Sequence, residues 1–453
     1  MRSALAIPTF RRLAAGYTLN ELGDWMATVT LAILVYDATS SALATTALFV
    51  SAKFLPSLVV PVLAARAERA SVSRTLLAFY LVEAVLFGAL VLAAGADPWV
   101  PLICVLAFFD GTIAATGRAI TRAATVAVLE PSGKLRDGNA ALNIGFSAMS
   151  IAGPALAGFL VSAVGVQVVL GLTAGLFVVL ALVMGTTSGL PQGTTDEAPW
   201  LERLRAGASY VASHPVVRPL VAGQALLLVL FTMVSPIEIV YAKESLGGGD
   251  AAYGTLLTGW GAGVIVGSLI FTRVHTRPLP LLIGVSTLAI GAGYLGMAAA
   301  PTLLAATAAA VLGGIGNGMQ WVVVVTAIQE AVRADMQARV AGFFEAIATA
   351  MPGVGFIVGG VLTALLNPRV AFLVAGLGVI VIVFSGGVIW RLRRGARDVV
   401  AVRADHGMGM TEVPTAAVGT VSTPEIAAAP HLPDPPEPDE RDDVAPVSPS
   451  GAY

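Results

Sequence analysis

Apolar residues run along this chain in blocks of roughly twenty, broken by Arg, Asp, Pro and Gly instead of alternating with polar positions. A block of that length, wound as an α-helix, spans a hydrocarbon layer about 30 Å thick. Reading between the breaks predicts twelve helices, at 13–37, 42–65, 74–96, 99–121, 139–164, 166–189, 217–242, 250–273, 279–300, 302–329, 339–366 and 368–390. The pairs around Gly165 and Asn367 are joined by very short connections.

Composition agrees with an all-α membrane protein, since the 453 residues are 56% hydrophobic and only 12% charged. The charges sort by side. With the N-terminus inside, the loop cations gather on the inner face, and only Lys243 and Arg369 fall outside. Both termini are therefore expected in the cytoplasm, with the chain in the cell (inner) membrane. The first apolar run is too long for a cleavable signal, and no small-residue cleavage pattern follows it. The single thiol, Cys104, excludes an intramolecular disulfide.

The predicted organisation is a six-helix half at 1–189, a linker at 190–216, a second half at 217–395 and a tail at 396–453. The linker reads as a short amphipathic helix with Trp200, Leu201, Leu204 and Val211 on one face and Glu202, Arg203 and Arg205 on the other, a solvated connector on the membrane surface. The Pro-rich acidic tail is expected to be disordered. Matching Gly/Pro breaks occur in the fifth and eleventh runs, at Gly153, Pro154 and Gly158 and at Pro352, Gly353 and Gly355. Such paired breaks point to a transporter built from repeats, with its site at mid-membrane.

The first run is anomalous because NELGDW interrupts it. Tyr17, Asn20, Glu21, Asp24 and Thr28 share one helical face, and Asp24 lies about 16 Å from the inner end, near mid-depth. A charge there is costly, so this face is expected to line a watery cavity. Asp24 is the first candidate for a proton-carrying carboxylate and Glu21 the second. Lys53 and Glu83 lie at similar depth on the second and third runs, and a Lys53–Glu83 or Lys53–Asp24 ion pair accounts for the lysine.

Four stretches carry a family likeness: FRRLAAGYTLNELGDWMATVTLAILVYDATSSA, KFLPSLVVPVLAARAERASVSRTLL, the connector RLRAGASYVASHPVVRPL, and QEAVRADMQARVAG after the tenth run. On these the chain resembles the major facilitator superfamily over about residues 8–395. Within it the chain resembles the drug-efflux branch that includes macrolide and siderophore (enterobactin-type) exporters. The loop after the second helix departs from the branch pattern, with Ala64 for Gly, Glu68 for Asp, and Val72 and Ser73 at positions often basic; Arg69 and Arg74 remain. The antiporter signature keeps Gly153, Pro154 and Gly158 but has Ala140 and Met149 where glycines are expected.

The resemblance implies a major facilitator fold whose first, fourth, seventh and tenth helices line a central cavity. Polar residues near mid-depth on three of these are Asp24, Asp110, and Asn317 with Gln320, while the seventh offers Thr232 and Ser235, with Glu238 closer to its outer end; Tyr17, Asn20, Thr28, Thr232, Ser235, Asn317 and Gln320 are the candidate substrate-cavity residues. It also implies that Arg118, which with Arg122 reads as lying toward the inner end of the fourth helix, takes part in proton transfer, and that Glu68, Arg69, Arg74, Gly153, Pro154 and Gly158 serve gating. Positive-inside anchoring explains the two arginines equally well. The expected activity is proton-coupled efflux of hydrophobic or amphipathic small molecules by a monomer. The alternatives are export of a siderophore or other endogenous metabolite, and uptake by proton symport.

Other classes fare worse. No GxxxxGK[ST] occurs, and the GxGxxG of Gly291–Gly296 lies inside an apolar run without the strand that a dinucleotide site requires. His214, His275, His406 and His431 all fall in loops or tail and no HExxH exists, which argues against a membrane-embedded metalloenzyme. No cofactor, metal or nucleic acid is expected. A transport-inactive scaffold of the same fold is the remaining competitor.

Overall fold

The computed structural model describes residues 2–67, 70–95, 97–187, 190, 200–274, 276–333 and 336–385, all within the first of two compact units, Met1–Arg393. The predicted tail, the start of the linker and the loop residues Glu68 and Arg69 lie outside the described residues.

The described residues are almost entirely helical. The spanning helices are α1 (Pro8–Thr39), α2 (Ala42–Phe49, a π turn Val50–Phe54, then Leu55–Ala67), α3 (Val72–Ala93), α4 (Val100–Leu129), α5 (Leu135–Val164) and α6 (Val166–Gly185). After the linker helix Trp200–Ser213 come α7 (Val217–Thr232, a 3-10 turn Ser235–Ile237, Glu238–Val240 and a π turn Tyr241–Ser245), α8 (Asp250–Val274), α9 (Leu279–Ala299), α10 (Leu303–Ala331), α11 (Gln337–Leu365) and α12 (Pro368–Ser385). Eleven of these are long and apolar enough to cross a membrane by length and composition alone. The exception is α1, 32 residues long and so ample in reach, whose apolar character is diluted by the polar residues of NELGDW. Gly165 (φ 85°) separates α5 from α6, and Asn367 Oδ1 accepts from Val370 N at the start of α12.

The same packing pairs recur with an offset of six helices. α1 lies on α5 as α7 lies on α11, α2 on α4 as α8 on α10, and α3 on α4 as α9 on α10. Likewise α3 packs on α6, while Gly376 of α12 meets Leu295 of α9. The first six helices meet the last six along two seams, α5 on α8 and α2 on α11, which the same offset interchanges. Pro154 and Pro352 sit inside α5 and α11, one at each seam.

Close approach at the seams depends on missing side chains. A Cβ on Gly254 would stand 2.5 Å from the Pro154 carbonyl oxygen, and one on Gly158 would stand 3.0 Å from the Gly254 Cα. Gly153, third of the predicted gating positions, packs instead against Trp25 of α1.

Two expectations change. The linker helix is not merely a solvated connector: Gly207 lies against the Arg339 backbone, and Val211 joins Val221, Val324, Ile328 and Phe344 in a buried cluster at the α10–α11 end of the bundle. Burial of that apolar stripe outweighs solvation of the charged face. The side chains of Trp200, Leu201 and Arg203 lie outside the described residues. In addition, α4 continues to Leu129, so Arg118 lies well inside the helix instead of near its inner end.

Candidate functional site

Where α1, α2 and α4 meet, Asp24 is held by two cations. Lys53 Nζ, carried on the π turn of α2, donates to Asp24 Oδ1 at 3.1 Å and Oδ2 at 3.2 Å, and an Arg118 guanidinium nitrogen donates to Oδ2 at 2.9 Å. Arg118 Nε also lies 3.9 Å from Glu21 Oε1. Charge is balanced in this knot, with two carboxylates against two cations. The π turn matters because an extra residue in the winding turns Lys53 toward α1, and such turns recur at functional sites.

The lysine's partner is therefore Asp24, and the Lys53–Glu83 pairing is not formed. Glu83 is 1% exposed on α3, and neither of its carboxyl oxygens has a hydrogen-bond partner. Its helix packs on α6 and α4, behind the cavity, where Lys53 does not reach it. Arg118 is likewise no headgroup anchor, because it turns inward to Asp24.

The shared polar face of α1 is only partly open. Tyr17, Asn20 and Glu21 are buried, Tyr17 with its hydroxyl 3.5 Å from Arg122 of α4, while Gly16 and Gly23 seat the helix on Met184 and Phe177 of α6. Packing against α4 covers the lower part of the face, so Asp24 and Thr28 alone of the five reach the cavity. That cavity is lined by Asp24, Thr28, Lys53 and Asp110 with Leu31, Leu48 and Phe49. Thr28 spends its hydroxyl proton on the Asp24 carbonyl at 2.7 Å. Asp110 faces the cavity with no hydrogen bond or ion pair to any described residue.

A second cavity, about 160 Å³, opens between α7, α9 and α10, lined by Gln224, Leu227, Leu228, Phe231, Ile290, Asn317, Gln320 and Trp321. Asn317 and Gln320 both reach it. Thr232 does not: its hydroxyl donates to Leu228 O at 2.8 Å and lies 3.3 Å from Pro352 O, in the α7–α11 contact. Ser235 sits half-buried in the 3-10 turn above.

At the end of the bundle remote from the linker helix, Lys243 joins α7 to both neighbours. It pairs with Asp37 of α1 and, at 2.6 Å, with Asp250 of α8, while Tyr36 donates to Glu244 at 2.5 Å. Lys243, like Lys53, rides a π turn. On the α2–α11 seam, Phe49 and Phe356 meet edge-on at 5.6 Å. On the linker side Arg74 is exposed.

The family model described as a transmembrane secretion effector (MFS_3) matches residues 2–351. The chain belongs to that family. It is thus a major-facilitator-type transporter and not an enzyme, with the multi-pass membrane architecture that its helices require. No curated protein matches the sequence. Among solved structures, the nucleoside transporter NupG is similar at 14% identity and a TM-score of 0.63, covering 84% of this chain and 99% of its own. A bacterial homologue of the human lysosomal transporter Spinster, solved inward-facing and unoccupied, gives 14% and 0.63 over 83% and 93%. The POT family transporter PepTSo gives 10% and 0.66 over 85% and 98%. These likenesses establish the fold, and this family member shares it along nearly the whole of each neighbour.

Within this family member the sequence reading passed over Gln224 and the Lys243 clasp. Gln224 carried a signal, a lone amide in the apolar run VAGQALLLVL. Lys243 had been noted only as a cation on the wrong side of the membrane.

Proposed function

We propose that the protein exports uncharged or amphipathic small molecules in exchange for protons, by alternating access between the first six and last six helices, as a monomer in the cell membrane with both termini cytoplasmic. The observation that carries the reading is the surplus of acid beside the balanced knot. Asp24 and Glu21 already match Lys53 and Arg118, so a further negative charge on buried Asp110 or Glu83 has no partner and costs several kcal/mol. Asp110 faces the cavity, where it exchanges a proton with water, and Glu83 is a second buried acid with no cation bonded to it. Asp24, fixed by two cations, is the counter-ion of the site and not its proton carrier.

The Lys243 clasp supports a conformation closed at the end remote from the linker, and the arginine distribution favours a cytoplasmic linker side. The family's description as a secretion effector favours outward transport over uptake by symport. An endogenous metabolite such as a siderophore is the second cargo reading, resting on the likeness of the connector and loop stretches to exporters of that kind. Glu68, Arg69 and Arg74 would act at the cytoplasmic gate, Pro154 and Gly158 at the α5–α8 seam, and Gly153 at the contact of α5 with α1.

The test is expression in a pump-deficient host challenged with dyes and antibiotics, with and without a proton uncoupler. Uncoupler-sensitive lowering of intracellular dye is expected; accumulation unaffected by the protein, or lowering that survives the uncoupler, sinks the reading. Cysteines at Gly248 and Ala300 should label from outside the cell and one at Gly133 should not, and the reverse pattern would invert the orientation.

A further inference from the structure

The cavity between α7, α9 and α10 differs in chemistry from the Asp24 cavity. No ionisable side chain lines it. Its polar edge is three carboxamides: half-buried Asn317, and Gln320 (2% exposed) and Gln224 (4% exposed), the last two joined by a single hydrogen bond in which Gln320 Nε2 donates to Gln224 Oε1 at 2.5 Å. Gln320 Oε1 is buried and has no partner. Gln224 Nε2 donates to no described residue.

One hydrogen bond between two carboxamides always leaves over one carbonyl and one NH2. Two buried amides in that state carry the penalty of unmade hydrogen bonds until something supplies the complement. The complement is a group with a donor and an acceptor side by side, as in a primary carboxamide or a lactam. The apolar walls are Phe231, Trp321, Leu227, Leu228 and Ile290, which suit a flat ring. At about 160 Å³ the space is smaller than the roughly 300–1,000 Å³ of drug-sized sites, so it takes a ring-sized part of a larger molecule.

We propose that this cavity is the recognition subsite for an uncharged ring bearing an amide edge, with Gln320 and Gln224 reading the donor–acceptor pair. A carboxylate isostere is rejected because no cation lines the walls, and an ammonium because no anion does. The proposal rests on the exporter reading for its cargo but not for its binding.

The test is ligand-observed NMR titration of the full-length protein in nanodiscs, with no gradient applied, using benzamide and its charged isosteres benzoate and benzylamine. Benzamide is expected to bind at least tenfold more tightly than either. Gln320→Leu should weaken benzamide about tenfold, and Gln320→Glu should lose benzamide while gaining benzamidine. Unchanged melting temperature certifies the fold of each variant. Failure of the parent to bind benzamide, equal binding of the charged isosteres, or unchanged benzamide affinity in whichever variant folds would each overturn the proposal. Benzamide binding in a protein that drives no gradient-dependent transport would keep the subsite and remove the exporter reading; transport without benzamide binding would do the opposite.

Discussion

Asp24→Asn will melt well below the parent protein and will lose uphill transport as a consequence of that structural damage. Removal of a charge at mid-membrane ordinarily eases insertion, and from the sequence alone this variant is expected to fold well. The geometry reverses that expectation. Asp24 accepts from both Lys53 and Arg118, and neutralising it leaves two cations sharing Glu21, which lies 3.9 Å from Arg118. Breaking a buried pair by removing one partner costs about 3–5 kcal/mol, because the remaining charge is stranded. Lys53→Met combined with Asp24→Asn should recover much of the lost stability, since that double change restores the charge balance. Thermal unfolding in detergent measures both. A single variant as stable as the parent, still pumping against a gradient, would remove Asp24 from its place at the centre of the knot.

Asp110→Asn should do the reverse. The side chain faces the cavity with no hydrogen bond or ion pair to a described residue, so its amide isostere costs little, and stability should stay within about 1 kcal/mol of the parent. Asn cannot carry a proton between the two faces. Substrate movement in proteoliposomes under an imposed pH gradient should fall at least tenfold, while exchange of substrate down its own gradient persists. Asp110→Glu should keep part of the coupled activity with a displaced pH optimum. Full gradient-driven transport by Asp110→Asn would shift the proton to Glu83 or Glu21, and the same assay on Glu83→Gln decides between those two.

Much of the fold was legible because bilayer thickness writes itself into the sequence as run length and leaves cations on one side. Even the six-helix offset was visible, through Pro154 and Pro352 in corresponding runs. The site was legible only as a set of polar residues at the right depth. Depth follows from counting; partners do not. Lys53 and Glu83 share a level, yet the π turn of α2 rotates the lysine to α1, and no periodicity announces a π turn. Arg118 reads as a proton-transfer residue or equally as an anchor toward the inner end of its helix because the predicted run stops at 121, whereas α4 goes on to Leu129. Tyr17 and Asn20 were placed on the correct face of α1, but α4 covers that face below Asp24. Rotation about each helix axis, set by packing with neighbours distant in sequence, is the information that a single chain read alone does not carry.

The Lys243 clasp gives the surrounding electrolyte a part in the transport cycle. A single ammonium holds Asp37 and Asp250 together at the end remote from the linker, and Asp37 is half exposed. Attraction between charges so placed weakens as mobile ions crowd the mouth, over a screening length of about 8 Å at physiological salt. Opening also uncovers more carboxylates than cations, because Glu244 is released there with the two aspartates. Brine should therefore lower the cost of opening this end and dilute medium should raise it. Ionic strength would set the resting poise of the protein before any substrate arrives, and transport rates taken at different salt concentrations would compare different starting populations.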